Sequence, residues 1–156
     1  MTTASSRPTT AGQPDCPLCD KQLENTLWES PQLRIIHVSD TPFIGYVRLV
    51  WRAHVAEMSD LSTPEQQTLM HLVFQVEALQ RQLLHPDKIN VASLGNQVAH
   101  VHWHVIPRWR TDPCFPDAIW APSKQTPEHQ TAWQSHTDAL QPRVHALHEA
   151  IRQIPH

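Results

Sequence analysis

The sequence predicts an α+β fold in which helices pack on an antiparallel sheet. Segments with strand and helix character follow one another in the order β, β, α, β, β, α, and the connections between them are short. Consecutive strands that are joined by short connections pair antiparallel, because a parallel pair needs a long crossover. With 156 residues, 40% of them hydrophobic, the chain can bury one core without disulfide bonds.

The first two strands are predicted in the N-terminal half. Residues 33–38 are rich in β-branched side chains and end at a turn formed by residues 39–42. Residues 45–51 then alternate between an apolar face, at odd positions, and a second face that carries Tyr46 and Arg48. The short spacing between the two segments favours an antiparallel pair.

The central helix is predicted from its start signal and its apolar stripe. Thr63 is expected to cap the N-terminus, with Pro64 at the first helical position and Gln66 completing a capping box. Apolar residues then recur at three- and four-residue intervals; they are Leu69, Leu72, Val73, Val76, Leu79 and Leu83. His85 and Pro86 end the helix.

Two more strands and a second helix are predicted in the C-terminal half. The strands cover residues 88–92 and residues 98–106, and a proline closes the second. Residues 112–122 are too rich in proline for regular structure. A helical stretch begins near residue 126, and Pro142 is expected to kink or divide it.

Composition excludes several classes of protein. A net charge of −3 argues against a DNA-coating protein, and no nucleic-acid partner is predicted. No apolar run approaches the ~20 residues that span a bilayer, so no membrane partner is predicted either. The first thirteen residues have no hydrophobic core of a signal peptide, and three cysteines do not suit a secreted disulfide framework. A cytoplasmic protein is the expectation.

The most informative segment contains three histidines at alternate positions: His100, His102 and His104. On a strand these side chains point to one face at intervals of roughly 7 Å, whereas a helix would scatter them. Three interpretations are open: a chance spacing of surface histidines, a metal enzyme with imidazole ligands, or nucleophilic and acid–base chemistry.

The residues before this run favour nucleophilic chemistry. Asn90, Ser93, Asn96 and Gln97 are uncharged hydrogen-bonding side chains near Gly95, and such groups can bind phosphate oxygens without neutralising a nucleophile. A hydrolase that uses a divalent metal would more often have carboxylates nearby, and the sequence has none between residues 88 and 110.

The pattern Gly95-x-Gln97-x-x-His100-x-His102-x-His104-Val105-Ile106-Pro107-Arg108 resembles the signature of the histidine triad (HIT) family. The similarity extends from about residue 16 to Trp120, and the segment from Asp112 to Trp120 resembles a bacterial subgroup. It implies a HIT-like sheet of about five strands with one long helix. It also implies hydrolysis or nucleotidyl transfer at the α-phosphate of nucleoside phosphoramidates or dinucleoside polyphosphates, in a protein that forms a homodimer.

The resemblance also implies roles for the two later histidines of the triad. His102 corresponds to the family's nucleophile, which attacks phosphorus and forms a covalent nucleotidyl-histidine. This chemistry requires a neutral imidazole whose second nitrogen is held by a hydrogen bond. His104 corresponds to the residue that donates a hydrogen bond to an α-phosphate oxygen.

Substrate contacts are expected from four further residues. Gln97 occupies a position where the family places a phosphate-contacting side chain, Asn96 is its neighbour, and Asn90 resembles an upstream amide of the family. Asp40 either binds the ribose or caps the turn before a proline. Many family members have histidine where this chain has Tyr46, so support of the site by a fourth histidine is not expected.

A second site is predicted to hold zinc in a structural role. Cys16 and Cys19 form a C-x-x-C pair, which needs two more ligands for a zinc tetrahedron. Related proteins bind zinc through two cysteines, a histidine after the second strand and the first histidine of the triad, which correspond here to His54 and His100. No organic cofactor is predicted.

The domain division and two rival functions complete the expectations. Residues 1–14 are predicted to be a flexible tail, residues 15–122 the HIT-like domain, and residues 123–156 a helical extension packed on it. One rival function is a metalloenzyme that uses the three triad histidines as ligands. The other is a nucleotide-binding regulatory protein with little turnover.

Overall fold

A computed structural model describes residue 13, residues 15–20 and residues 25–155. Within these ranges five strands form one sheet, and a short 3-10 helix (Met58–Asp60) precedes the first of two long helices. The elements are β1 (Asn25–Glu29), β2 (Leu33–His37), β3 (Val47–Trp51), α1 (Thr63–Leu84), β4 (Lys88–Ala92), β5 (His102–Arg108) and α2 (Pro127–Arg152). The predicted tail, apart from residue 13, lies outside the described residues.

The sheet has the strand order β1-β2-β3-β5-β4, and every neighbouring pair is antiparallel. This confirms the α+β class and the pairing of the first two predicted strands, which are β2 and β3. The prediction missed β1, an edge strand of five residues whose pairing with β2 is interrupted by a register shift. Its polar ends and irregular pairing give it only a weak sequence signal.

Register places the predicted site residues on one face of the sheet. Arg48 of β3 lies opposite His104 of β5, and Val50 lies opposite His102. Because side chains alternate, Val47, Leu49 and Val105 point to the other face, and these three join the hydrophobic core with residues of α1 and α2. The helices therefore cover one face of the sheet, and His102 and His104 lie on the opposite face.

The triad strand is shorter than predicted at its start and longer at its end. It was predicted over residues 98–106, but β5 begins at His102, because the Val101 backbone instead hydrogen-bonds to Val55 and Trp51. His100 therefore precedes the strand. Pro107 does not close β5 but lies within it. At this position β5 pairs only with β4, because its pairing with β3 ends at Val105. One side of the strand is therefore unpaired there, as in an edge strand, and such a position tolerates proline.

The start of α1 is displaced by one residue from the prediction. Ser62, not Thr63, is the N-cap, and the carboxylate of Glu65 accepts a hydrogen bond from the Ser62 backbone at 2.7 Å. Glu65, at the third helical position, completes this capping box, whereas the amide of Gln66 donates to the carbonyl oxygens of Met58 and Leu61. The predicted apolar stripe is buried at Leu69, Leu72, Val73 and Val76.

The C-terminal helix is continuous, so of the two outcomes predicted for Pro142, a kink or a division, the division was wrong. Pro142 lies inside α2, and buried residues flank it on both sides, including Leu140 and Val144. Their packing in the common core offsets the hydrogen bond that proline cannot make. In the described part of the chain, neither helix has the length and apolar character needed to cross a membrane.

Candidate active site and metal cluster

His102 is buried with its two ring nitrogens in different environments. Its Nδ1 lies 2.6 Å from the backbone carbonyl oxygen of His100. A carbonyl oxygen can only accept, so Nδ1 carries the proton and Nε2 has a free lone pair. Burial lowers the pKa of His102, which favours the neutral ring. The arrangement meets the chemical requirement for an imidazole nucleophile.

His104 lies beside His102 on the same face of β5. The ring centroids are 4.8 Å apart and the rings are nearly perpendicular. Burial, assisted by the neighbouring His102 and Arg48, lowers the pKa of His104 to about 3. The ring is therefore neutral near pH 7 and can donate a hydrogen bond from only one nitrogen. Trp120 packs edge-on against this ring at 5.3 Å between centroids.

Both histidines line a cleft of about 290 Å³. Two predicted substrate-binding residues, Asn96 and Gln97, line the same cleft. So do Arg48 and Trp120, which the sequence analysis did not place among the site residues. Arg48 is the one charged side chain among the described residues that line this cleft. The cleft thus presents one fixed cation and several neutral hydrogen-bonding groups, a combination suited to a phosphate ester.

Asn90 does not line this cleft. Its Oδ1 accepts a hydrogen bond from Arg108 Nη1 at 2.6 Å, so the amide oxygen is engaged within the protein. Arg108 also makes a two-pronged ion pair with Asp112, at 2.6 and 3.0 Å, and donates to the Asp117 carbonyl. These contacts fasten the segment that carries Trp120, so the structure connects Asn90 to the site through that segment.

Asp40 lies at an adjoining cleft. It is exposed, and the cleft that it lines also includes Val38, Tyr46, Arg48 and Trp120. Because Arg48 and Trp120 line both clefts, the two form neighbouring parts of one surface. The position is compatible with either role considered for Asp40, ribose binding or capping of the turn.

The four predicted metal ligands are brought together. One ligand atom from each of Cys16, Cys19, His54 and His100 lies within 4.8 Å of the others. His100 Nδ1 is 3.5 Å from each sulfur, and His54 Nδ1 is 3.3 Å from Cys19 Sγ. A tetrahedral zinc ion with its usual bond lengths separates its ligand atoms by about 3.6 Å. The spacing of this cluster therefore fits a metal ion.

The hydrogen bonding of His100 supports the same conclusion. Its Nε2 lies 2.6 Å from the backbone oxygen of Trp51 and must donate to it, which leaves the lone pair of Nδ1 facing the two thiols. Metal-bound histidines are commonly held by such a bond from their second nitrogen. The residues present can hold a metal ion, and the histidine that serves the cluster is separated from the two that line the cleft.

Comparisons with known proteins agree with this geometry. A family model described as the HIT domain matches residues 21–111. A search of curated proteins found none that matches. A solved histidine triad protein from Marinobacter aquaeolei is 32% identical, with 79% of this chain and 91% of that chain covered and a TM-score of 0.57. One from Bradyrhizobium japonicum is 26% identical, with 77% and 91% covered and a TM-score of 0.58. One from Sinorhizobium meliloti is 25% identical, with 74% and 88% covered and a TM-score of 0.58.

Proposed function

Since the chain belongs to the HIT domain family, we propose that it is a nucleotide hydrolase or nucleotidyl transferase that works through a covalent histidine intermediate. The predicted family and HIT-like fold are confirmed by that membership and by the solved relatives. The substrates proposed are nucleoside phosphoramidates or dinucleoside polyphosphates, attacked at the α-phosphate. The observation that carries the proposal is the Nδ1–H of His102 held by the His100 carbonyl, which leaves the lone pair on Nε2, in a ring that lines a cleft of about 290 Å³.

In the first step, His102 Nε2 forms a bond to the α-phosphorus and the bond to the leaving group breaks. An amine leaving group takes a proton from water, whereas a nucleotide departs as its phosphate anion. The resulting imidazolium is stabilised by its Nδ1–H bond to the His100 carbonyl. Water then attacks phosphorus and loses a proton, the P–N bond breaks, and its electron pair returns to Nε2.

The remaining cleft residues stabilise the phosphoryl group during both steps. His104 donates a hydrogen bond to a non-bridging oxygen as negative charge develops there, and Arg48 adds a positive charge. Asn96 and Gln97 donate amide hydrogens to phosphate oxygens, although an amide cannot relay a proton to the leaving group. Asp40 is proposed for the ribose, and Asn90 acts through Arg108 and the Trp120 segment.

We further propose that Cys16, Cys19, His54 and His100 bind zinc in a structural site. Two sulfurs and two imidazole nitrogens form a donor set that zinc favours. A bound zinc ion would cross-link the N-terminal segment to the sheet and leave His102 and His104 for chemistry. This division also argues against the rival metalloenzyme, because His100 faces the cysteines and does not share the cleft.

We also propose an oligomeric state, a domain division and a cellular location. A homodimer through β4 is supported by the position of that strand at the sheet edge and by exposed apolar side chains nearby, Phe74, Val91 and Leu94. The division into a tail, a HIT-like domain at 15–122 and a helical extension at 123–156 also remains a proposal. A cytoplasmic location, with no nucleic-acid or membrane partner, is proposed from the composition.

The proposal is tested by trapping the intermediate. Wild type and His102→Asn are incubated with an adenosine phosphoramidate and with a diadenosine polyphosphate, and the quenched protein is searched for adenylyl-histidine by peptide mass spectrometry. We expect the adduct on His102 in wild type and none in the variant, with turnover reduced by at least 10³-fold. His129→Asn, an exposed change outside the cleft, serves as the control.

Two results would contradict the proposal. Turnover by His102→Asn at the wild-type rate would remove the covalent route. Tight binding of nucleoside monophosphate by wild type, without turnover of either substrate, would identify a nucleotide-binding regulatory protein instead.

A further inference from the structure

Tyr46 connects Arg48 to His104 through two hydrogen bonds. Arg48 Nε donates to the Tyr46 hydroxyl oxygen at 3.0 Å, and that hydroxyl is hydrogen-bonded to His104 Nδ1. The three side chains lie on one sheet face, because Arg48 and His104 are cross-strand partners and Tyr46 is two residues before Arg48. Tyr46 and His104 are only 2% and 4% exposed, so water does not readily replace these bonds.

The donor and acceptor properties of the three groups decide where the protons lie. Arg48 Nε can only donate, so the phenol oxygen must accept there. The single hydroxyl hydrogen of Tyr46 is then directed to His104 Nδ1. If Nδ1 carried the proton instead, that hydroxyl hydrogen would have no acceptor in the described part of the chain, which is costly in a buried site.

The backbone on both sides of this contact is held by one buried side chain. Gln80 of α1 donates its amide hydrogens to the carbonyl oxygens of Gly45 and Val105, each at 3.0 Å. These residues immediately precede Tyr46 and follow His104. The position of the phenol relative to the imidazole is therefore fixed from the helix side of the sheet as well as by strand pairing.

We infer that Tyr46 is a positioning residue that holds His104 in the Nε2–H tautomer. The inference deepens the proposed function and rests on it, because only that tautomer lets His104 donate Nε2–H to a phosphate oxygen while Nδ1 faces Tyr46. Arg48 orients the phenol and, from the edge of the cleft, also supplies positive charge. A tyrosine–arginine pair thus supports the third histidine of the triad at the position where many family members have histidine.

The inference is tested by reading the tautomer directly. Proton–nitrogen correlation spectra of histidine-labelled protein at pH 7 assign Nδ1 and Nε2 of His104 in wild type and in Tyr46→Phe. We expect the Nε2–H form in wild type and a shift towards the Nδ1–H form, or a mixture, in the variant. His102 should keep its Nδ1–H form in both. Thr137→Val, which removes a buried hydroxyl of α2 that donates to the Gln134 carbonyl and has no hydrogen bond to this contact, should leave the His104 signals unchanged.

Kinetics give a second, independent measurement. Tyr46→Phe is expected to lower kcat by about 10- to 100-fold with little change in KM, because orientation matters more in the transition state than in substrate binding. Thr137→Val should keep the wild-type kcat. An unchanged tautomer and kcat in Tyr46→Phe would overturn the inference while the proposed function stands.

The wild-type spectrum keeps the inference testable if the variant fails to fold. An Nδ1–H tautomer of His104 in wild type would overturn it outright. Conversely, an Nε2–H tautomer that depends on Tyr46, in a protein that forms no adduct on His102, would reject the proposed function and keep the positioning role.

Discussion

The carbonyl oxygen of His100 lies 2.6 Å from Nδ1 of His102. His100, two residues before the proposed nucleophile, therefore contributes to both sites. Its ring faces Cys16 and Cys19, and its backbone carbonyl accepts the Nδ1–H of His102. A shift of His100 would disturb both. The four candidate metal ligands and the cleft are consequently separate sites that share one short stretch of backbone.

Metal removal is expected to destabilise the fold. Chelation, or the double change Cys16→Ser and Cys19→Ser, should lower the midpoint of thermal unfolding, because a metal ion bound by the four residues would tie the N-terminal segment to the sheet. A loss of about 3 kcal/mol would lower that midpoint by roughly 10 °C in a chain of this size. Scanning calorimetry, with elemental analysis for bound zinc, measures both effects.

Cys114→Ser is the matched control for this prediction. Cys114 is a free thiol like the other two, but its Sγ faces the backbone oxygen of Ala121 at 3.2 Å and not the cluster. It should keep the zinc content. Protein that is purified without chelator, with reduced cysteines and no zinc, would contradict the prediction.

Asp112 is expected to be among the most costly side chains to remove. Its carboxylate pairs with buried Arg108 and accepts hydrogen bonds from the backbone of Trp109, Cys114 and Phe115. Asp112→Ala would leave a guanidinium buried without its partner, at a cost of about 3–5 kcal/mol. Urea denaturation measures the change in the free energy of unfolding.

The exposed pair of Arg152 and Glu149 provides the comparison for Asp112. Glu149→Ala should change stability by less than about 1 kcal/mol, because exposed ion pairs contribute little. Equal effects of the two substitutions would show that the buried contacts of Asp112 stabilise the fold no more than an exposed ion pair does.

Local pattern was sufficient for part of the site. Two-residue alternation predicted that His100, His102 and His104 share one face of a strand; β5 has that arrangement for His102 and His104, whereas His100 precedes the strand. The same alternation predicted that Arg48 points away from the apolar face of its strand, and Arg48 lies opposite His104. The cysteine pair with His54 and His100 came from a family resemblance, and the structure brings those four residues together.

The contacts that sequence analysis missed depend on register between distant strands. Tyr46 and His104 are 58 residues apart, and their contact follows from the pairing of Arg48 with His104, which no local pattern specifies. The engagement of Asn90 by Arg108 likewise depends on how β4 pairs with β5. In the missed strand β1, the indole nitrogen of Trp28 donates to the carbonyl oxygen of Ile154, just after the end of α2 and 126 residues away in the sequence.

Acidification is expected to destabilise the contact between β2 and α2. The rings of His37 and His148 lie 4.6 Å apart. The pKa of His148 is lowered to about 4, mainly by burial and then by the nearby charges of His37, Arg152 and His145. Glu149 opposes this shift. Burial also lowers the pKa of His37. Between pH 6.5 and 4 the unfolded chain therefore binds protons that the folded chain does not, so the free energy of unfolding falls as pH falls.

His148→Leu should flatten this pH dependence, as measured by urea denaturation at several pH values between 4 and 7. His129→Leu, at an exposed position of the same helix, should leave the slope unchanged. A slope in His148→Leu that equals the wild-type slope would assign the pH dependence to other groups.

The backbone before Tyr46 is expected to require glycine. Gly45 has φ of +75°, and a Cβ added there would lie 2.5 Å from Leu84 Cδ1 of α1. Gly45→Ala therefore combines left-handed strain with overpacking, at a cost of about 3 kcal/mol.

Gly95→Ala is the matched control, because the nearest atom to its added Cβ is 4.0 Å away, and it should alter stability by less than about 0.5 kcal/mol. Denaturation midpoints compare the two variants. Because Gly45 also accepts a hydrogen bond from Gln80, Gly45→Ala should in addition disturb the His104 tautomer. Equal stability of both variants would show that α1 can yield at Leu84.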